Sequence, residues 1–242
     1  MEEIFRIIKV GEVLMKISGL QKLTLLDYPG KIACTVFTYG CNFRCGFCHN
    51  ALLVTEENSD SISEDEFFAF LKKRQGILDG VCISGGEPTL QKDLYDFIKR
   101  VKSMGYAVKL DTNGTNPRLL KSLLEEKLLD YIAMDIKNSI EKYSFTCGCE
   151  VDINAIKESV SIIKESGIDY EFRTTTVREY HTREDFSSIA DWLQGGSRYF
   201  LQHFEDSGNL IGDCLSPFDK DEMEAFAEVV RNKVPNVALR GV

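Results

Sequence analysis

The stretch that decides this chain reads Cys41-Asn-Phe-Arg-Cys45-Gly-Phe-Cys48, with His49 and Asn50 directly after it. Three thiolates on one short loop can hold three corners of a [4Fe-4S] cluster, which ordinarily takes four protein ligands. The fourth iron would then stay open, as catalytic metal sites keep one position free for a reacting molecule. An open iron can bind a small molecule and pass one electron to it. The spacing therefore favours a redox cluster with one open iron.

A zinc site is the alternative use of closely spaced cysteines. Such a site needs a fourth ligand, often from a second cysteine pair or from a pair of histidines. His49 could be that ligand, but neighbours in sequence such as Cys48 and His49 seldom reach one tetrahedral ion without strain. No second pair with suitable spacing follows. The iron-sulfur interpretation is therefore the stronger of the two.

The composition predicts a globular protein that needs no disulfides. Its 242 residues are 43% hydrophobic and 28% charged, which suits one substantial core. No apolar run approaches the roughly 20 residues that span a membrane, and Glu2, Glu3, Arg6 and Lys9 argue against a secretory signal. The net charge of −9, without a basic block, argues against nucleic acid as a partner. Eight cysteines in a chain of this length indicate a reduced, cytoplasmic and oxygen-poor setting.

Short apolar strands alternate with amphipathic helices along the chain, which predicts an α/β fold with a parallel sheet and helices outside. Six such units fall short of the eight that close a barrel, so we expect an open (β/α)6 partial TIM barrel. No linker interrupts the pattern, so residues 1–242 are expected to form one domain, with a core of about 18–240 and an N-terminal extension of unclear role over 1–17. The predicted strands are Ile32–Thr38, Val81–Ser84, Ala107–Leu110, Tyr131–Met134, Tyr170–Val177 and Tyr199–Gln202, with Val237–Leu239 as an edge strand. Capping residues predict helix starts at Ser63, Asn116, Asp152, Thr182 and Asp219.

Polar residues follow the second and third predicted strands, and in barrels of this kind chemistry collects at the carboxyl ends of the strands. The second strand ends in Ser84-Gly85-Gly86-Glu87-Pro88. Two glycines would let a ligand lie against bare backbone, and the carboxylate of Glu87 could accept hydrogen bonds from an ammonium group. A Gly-Gly turn with an exposed glutamate is the alternative. The third strand ends in Asp111-Thr112-Asn113-Gly114, where Asn-Gly alone would be a tight turn.

Charged residues also mark the last three predicted strands. Asp135 and Lys137 lie two apart and so point to one side, either as a structural ion pair or as contacts to a ligand's ribose and carboxylate. Arg173 lies within the fifth strand, where an unpaired charge costs of order several kcal/mol, which predicts a ligand carboxylate or peptide carbonyls as its partner. His203 ends the sixth strand as a candidate for a ribose contact, with Gln202 one register position away. A lone histidine is more often structural.

Together these motifs resemble the glycyl-radical-enzyme activases of the radical S-adenosylmethionine (SAM) class. Within that class the chain is most similar to the activating proteins of anaerobic ribonucleoside-triphosphate reductase. The resemblance covers about residues 18–240. It is carried by Leu25–Lys31, Thr38–Asn50, Ile83–Pro88, Asp111–Gly114 and Asp135–Lys137.

The resemblance implies a specific chemistry. A reduced [4Fe-4S] cluster on Cys41, Cys45 and Cys48 cleaves SAM to methionine and a 5′-deoxyadenosyl radical, which takes a hydrogen atom from the Cα of one glycine on a partner enzyme. No side chain need act as a general acid or base. It further implies an electron donor such as flavodoxin or ferredoxin, and a monovalent cation held by Asp111, Thr112 and Asp135. The residues implied in cofactor binding are Phe47, Cys48, His49, Gly85, Gly86, Glu87, Asp111, Thr112, Asn113, Asp135, Lys137, Arg173 and His203.

Other functions stay open at this point. A radical SAM enzyme acting on a small molecule, such as a deazaguanine synthase, is one, and an activase of another glycyl radical enzyme such as pyruvate formate-lyase is a second. A zinc or redox module without enzymatic activity is a more distant third. The Cys-His-Asn ending at Asn50 favours the activases over the deazaguanine synthases. Cys147-Gly148-Cys149 lacks two further well-spaced ligands, so these thiols, like Cys34, Cys82 and Cys214, are interpreted as unligated.

Overall fold

The computed structural model describes residues 15–56, 61–196 and 198–242. Within them, eight strands form one sheet whose spatial order follows the chain. The strands are β1 (Ile17–Thr24), β2 (Ala33–Thr38), β3 (Gly80–Gly85), β4 (Ala107–Thr112), β5 (Tyr131–Asp135), β6 (Asp169–Thr176), β7 (Tyr199–His203) and β8 (Val237–Arg240). The helices are α1 (Ala51–Thr55), α2 (Glu64–Lys73), α3 (Leu94–Ser103), α4 (Pro117–Glu125), α5 (Tyr143–Cys147), α6 (Ile153–Glu165), α7 (Arg183–Leu193) and α8 (Lys220–Arg231).

Strands β2 to β7 run parallel and are joined by helices, which confirms the predicted open (β/α)6 barrel. The predicted edge strand is present as β8, which pairs parallel with β7. Because consecutive strands of this sheet are neighbours and parallel, their carboxyl ends meet along one rim. The loops that leave this rim bring the predicted site residues together.

Helix capping confirms where several helices begin. The Ser63 hydroxyl accepts from the Glu66 amide at 3.3 Å, and the Glu66 carboxylate accepts from the Ser63 amide at 3.0 Å, which completes a capping box at α2. At α4 the Asn116 side chain accepts from the Leu119 amide at 3.2 Å, with Pro117 in the first helical turn. These capping contacts set the residue at which each helix begins, and so where the preceding loop ends.

Three elements were not among those predicted from the sequence. Strand β1 precedes the first predicted strand and pairs antiparallel with β2. The short helices α1 and α5, the second of which ends at Cys147, were not predicted either. Residues 1–14 of the extension lie outside the described residues, whereas Met15 is buried and its amide donates to Glu64 at 2.8 Å.

The amino-terminal ends of the strands are filled by a small apolar cluster inside the barrel, formed by Tyr28, Ala33, Tyr131 and Ala133. The rings of Tyr28 and Tyr131 lie 6.0 Å apart at an angle of 58°. The main core lies on the other side of the sheet, under the helices. Open space inside the barrel is therefore left toward the carboxyl ends. No helix among the described residues is long and apolar enough to cross a membrane.

Candidate active site at the carboxyl ends of the strands

A cavity of about 450 Å³ opens at the carboxyl ends of the strands. Its volume lies in the range of roughly 300–1,000 Å³ that is usual for small-molecule and cofactor pockets. All residues that the sequence marked as candidate site residues line it. They are Cys41, Cys45, Phe47, Cys48, His49, Gly85, Gly86, Glu87, Asp111, Thr112, Asn113, Asp135, Lys137, Arg173 and His203. The structure also places residues here that the sequence analysis did not name, including Thr175, Phe204, Glu205 and Arg240.

The cysteine loop leaves β2 and turns back across the top of the cavity. The Cys48 amide donates to the Cys45 carbonyl at 3.1 Å, and the Phe43 amide donates to the Cys41 sulfur at 3.3 Å. A hydrogen bond from Cys147 lowers the pKa of the Cys45 thiol below its ordinary value, whereas burial raises the pKa of Cys41 and of Cys48. The three thiols face one cavity, and the loop backbone is fixed around them.

The cysteines are not arranged as a site for a single metal ion. Among the described residues, no group of three or more His, Cys, Asp or Glu side chains could hold one. A structural zinc site would need four ligands around one tetrahedral ion. Three thiols that line one cavity fit a polynuclear cluster, which accepts one cysteine at each of several irons.

Gly85 and Gly86 are required by the chain itself. The Gly86 amide donates to the Thr38 carbonyl at 3.0 Å and the Glu87 amide donates to the Gly40 carbonyl at 2.8 Å. A Cβ atom on Gly86 would lie 1.9 Å from the Gly40 carbonyl oxygen, so no larger residue fits. The backbone that lies against the two glycines is therefore the segment that enters the cysteine loop, which ties the end of β3 to that loop.

The Glu87 carboxylate is 1% exposed and is held from several sides. Its Oε1 accepts from the Thr89 amide at 3.0 Å, the Thr89 hydroxyl at 2.5 Å and the Thr112 hydroxyl at 2.7 Å. Its Oε2 accepts from the Asn113 amide at 2.6 Å. Each carboxylate oxygen offers about two lone pairs, so Oε2 keeps room for one further donor while Oε1 does not. Burial raises the pKa of Glu87, although these hydrogen bonds oppose the shift.

A chain of five charged side chains lies at the floor of the cavity: Asp111, Arg173, Asp135 and Lys137 line it, and Lys109 lies beneath them. Lys109 donates to Asp111 Oδ1, and Arg173 lies 3.5 Å from Asp111 Oδ2. Arg173 Nε donates to Asp135 Oδ1 at 2.9 Å, and Lys137 donates to Asp135 Oδ2 at 3.0 Å. Burial raises the pKa of Asp135, but Arg173 and Lys137 outweigh it and bring that pKa down to about 2. Positive and negative groups alternate along the chain.

This arrangement corrects one expectation and adds one residue. Arg173 was expected to need a ligand as its partner, but two protein carboxylates pair with it. Lys109 was not singled out, although it precedes Asp111 by two positions on an apolar strand, which is the signal that could have found it. Asp135 and Lys137 form the ion pair that the sequence offered as one alternative. Both residues also line the cavity, where a ligand could contact them.

His203 and Gln202, the two candidates for the ribose contact, both line the cavity. Among the described side chains, His203 Nδ1 is buried and has no hydrogen-bond partner. A buried polar atom without a partner is costly, and a ligand hydroxyl would satisfy it. Arg240 beside it pairs with Glu171 at 3.0 and 3.2 Å.

The profile of the radical SAM superfamily matches residues 35–193, which is more than half of the chain. The chain belongs to this superfamily. Members bind a [4Fe-4S] cluster and SAM, and the three cysteines, the free lone pair of Glu87 and the unpartnered His203 fit those groups. The protein is therefore a radical SAM enzyme.

Curated relatives carry several functional names. A protein of Methanocaldococcus jannaschii, provisionally named a glycyl-radical enzyme activating enzyme, is 33% identical over 93% of this chain and 96% of its own length. A pyruvate formate-lyase-activating enzyme of Clostridium pasteurianum is 31% identical over 52% of this chain and 54% of its own. A 7-carboxy-7-deazaguanine synthase of Koribacter versatilis is 27% identical over 67% of this chain and 70% of its own.

Solved structures support the fold. Streptococcus suis SuiB bound to S-adenosylmethionine superposes with a TM-score of 0.67 at 16% sequence identity, covering 84% of this chain. This chain spans only 48% of that protein. At this identity the likeness shows a shared partial barrel and nothing further.

Proposed function

We propose that this radical SAM enzyme is a glycyl-radical-enzyme activase, and that its partner is an anaerobic ribonucleoside-triphosphate reductase. The observation that carries the activase proposal is the near full-length match to the Methanocaldococcus jannaschii protein that bears the activating-enzyme name. The Cys-His-Asn ending of the cysteine loop supports the same class. The choice of reductase as partner rests on the sequence motifs described above.

In this proposal Cys41, Cys45 and Cys48 hold the cluster by three of its irons and leave the fourth iron for SAM. When bound, the cluster supplies the electron that splits SAM into methionine and a 5′-deoxyadenosyl radical, which takes a hydrogen atom from a glycine Cα of the partner. Phe43 and Phe47, both buried beside the cysteines, keep water away from that end of the cavity. An electron donor such as flavodoxin or ferredoxin, in a reduced cytoplasm, would serve this chemistry.

The other cavity residues orient SAM. The free lone pair on Glu87 Oε2 would accept a hydrogen bond from the SAM ammonium group. Lys137 lies at the cavity end of the charge chain and would face the SAM carboxylate. His203 Nδ1 would meet a ribose hydroxyl, which gives that buried atom the partner it lacks among the described residues. No side chain in this scheme has to donate or remove a proton during the reaction.

Electron paramagnetic resonance tests the proposal. The reconstituted enzyme, SAM and a flavodoxin reducing system are incubated without oxygen with anaerobic ribonucleotide reductase. A glycyl radical doublet on the reductase is expected, and the Cys48→Ala enzyme is expected to give none. Cleavage of SAM without a radical on this reductase would overturn the partner assignment. A doublet on pyruvate formate-lyase instead would favour the second kind of activase.

A small-molecule radical SAM enzyme remains the second candidate, favoured by the match to a deazaguanine synthase over 67% of this chain. That function predicts SAM cleavage coupled to formation of 7-carboxy-7-deazaguanine, with no protein radical. A search for this product by mass spectrometry separates the two candidates directly.

A further inference from the structure

We propose that the ammonium group of Lys109, buried beneath the SAM cavity, supplies the positive charge that a monovalent metal ion would otherwise bring, and that SAM binding therefore needs no such ion. The inference rests on the proposed placement of SAM in this cavity. It departs from the resemblance described above, which implies a metal cation at Asp111, Thr112 and Asp135.

The oxygens that such a cation would need are already in use. Asp111 gives Oδ1 to Lys109 and Oδ2 to Arg173, and Asp135 gives Oδ1 to Arg173 and Oδ2 to Lys137. The Thr112 hydroxyl donates to Glu87 at 2.7 Å and accepts from the Gly114 amide at 3.1 Å. Hard cations such as potassium and sodium bind chiefly through oxygen ligands, as calcium and magnesium do. A metal ion placed among these three residues would lie against three cationic side chains, Lys109, Arg173 and Lys137, and their repulsion disfavours its binding.

Lys109 is the most deeply buried of the three cations in the charge chain. Its side chain is 2% exposed and lies under the cavity, with the Cys82 sulfur 3.7 Å away and the Tyr131 ring centre 5.9 Å away. Burying an ammonium group is costly unless a carboxylate accompanies it, and Asp111 is that carboxylate. The ion pair with Asp111 accounts for an ammonium group at this depth.

The balance of charge explains what the ammonium group does for the ligand. Three cationic and two anionic side chains leave one net positive charge along the floor of the cavity. Without Lys109 the same floor would be neutral, and Asp111 Oδ1 would be left without its cation. A carboxylate ligand would then meet a weaker field, and the vacated oxygen could draw in a metal ion. Lys109 thus acts as a positioning residue that holds Asp111 and Arg173 in place.

Isothermal titration of SAM into the reconstituted enzyme, without reductant so that SAM stays intact, tests this. The titration is run in potassium, sodium and tetramethylammonium chloride at one ionic strength. For the native enzyme the Kd should agree within about twofold across the three salts, since coupling between two ligands typically changes affinity by about 5–150-fold. A loss of about tenfold in tetramethylammonium would overturn the inference.

Two variants sharpen the test. Lys109→Met keeps the length of the side chain but removes its charge, and it should weaken SAM binding about tenfold in tetramethylammonium and recover in potassium. Lys102→Met is the matched control, because Lys102 pairs with Asp130 at 2.7 Å outside the cavity, and its Kd should match the native enzyme in every salt. If Lys109→Met binds SAM as the native enzyme does in every salt, Lys109 does not have this role.

Two other outcomes are also decisive. If Lys109→Met fails to fold, the salt comparison on the native enzyme decides alone. If the native enzyme binds SAM in none of the three salts, the proposed placement of SAM is wrong and the inference fails with it. If it binds SAM only in potassium, the placement stands and only the inference fails.

Discussion

Glu87 offers the sharpest test of how the cavity is built, because its carboxylate joins its own turn after β3 to the end of β4. In Glu87→Gln, the amide oxygen can keep the Oε1 contacts to Thr89 and Thr112. The amide NH2 then replaces Oε2 and faces the Asn113 amide, so two donors meet and that backbone N–H loses its partner. Turning the amide over moves the same conflict to the Thr89 amide.

The expected loss follows from these contacts. An unsatisfied buried donor costs about 1–3 kcal/mol, and hydrogen bonds to a charged acceptor are roughly twice as strong as neutral ones. Removing a buried charge returns part of this, since burial raises the pKa of Glu87. We therefore expect Glu87→Gln to lower the free energy of unfolding by about 3 kcal/mol, with an unchanged dependence on denaturant.

Urea unfolding of the cluster-free protein, followed by circular dichroism, measures this loss. The matched control is Glu179→Gln, because Glu179 also accepts from a backbone amide, that of Ser216 at 2.9 Å, but is exposed. The control should lose no more than about 1 kcal/mol, as exposed polar changes usually do. Equal losses in the two variants, or a loss under about 1 kcal/mol in Glu87→Gln, would refute the argument.

Three further predictions follow from the site. Alanine at Cys41, Cys45 or Cys48 should abolish bound iron and visible absorbance after reconstitution, whereas Cys147→Ala and Cys149→Ala should keep both. Iron analysis measures this, and loss of iron in Cys147→Ala or Cys149→Ala would identify that cysteine as a cluster ligand. The pKa of Asp135 falls from 3.8 to about 2 on folding, so its contribution of about 2 kcal/mol to the free energy of unfolding is present above pH 4 and is lost as the pH falls toward 2. In urea unfolding of the cluster-free protein, Asp135→Asn should be less stable than the native protein at pH 7, and this difference should disappear in acid. His203→Ala should weaken SAM binding by about fivefold while Gln202→Ala stays within about twofold, and the reverse order in calorimetry would move the ribose contact to Gln202.

The fold was predictable because its signals are local. Strand-helix alternation and capping residues such as Ser63 and Asn116 act within a few neighbours, and they gave the six units and the helix starts correctly. The position of the site was predictable for a topological reason, since residues that follow parallel strands must meet at one rim. Sequence order alone therefore brought Glu87, Asp111 and Asp135 to the same cavity.

The pairing inside the site could not be predicted in the same way, because it depends on tertiary distances. Lys109 lies in a short apolar strand, where a lysine is ordinarily taken to face solvent. Nothing in the sequence shows that the Cys147 thiol reaches Cys45 from a helix about a hundred residues later. The sequence also does not show that Gly86 must lack a Cβ atom because the Gly40 carbonyl lies against it, apart from any contact with a ligand.

Sheet register explains why the charges alternate as they do. Side chains on a strand share a face at every second position, so Lys109 and Asp111 point into the barrel together, as do Ala133 and Asp135. Asp111 is paired with Ala133 across β4 and β5, and Asp135 is paired with Arg173 across β5 and β6. Asp135 thus lies one step nearer the rim than Asp111, and Arg173 must reach back past position 133 to contact both. Because Ala133 carries only a methyl group, the guanidinium can pass it and lie within 3.5 Å of Asp111. The position of the Arg173 guanidinium between the two carboxylates is therefore a consequence of strand stagger and one small side chain.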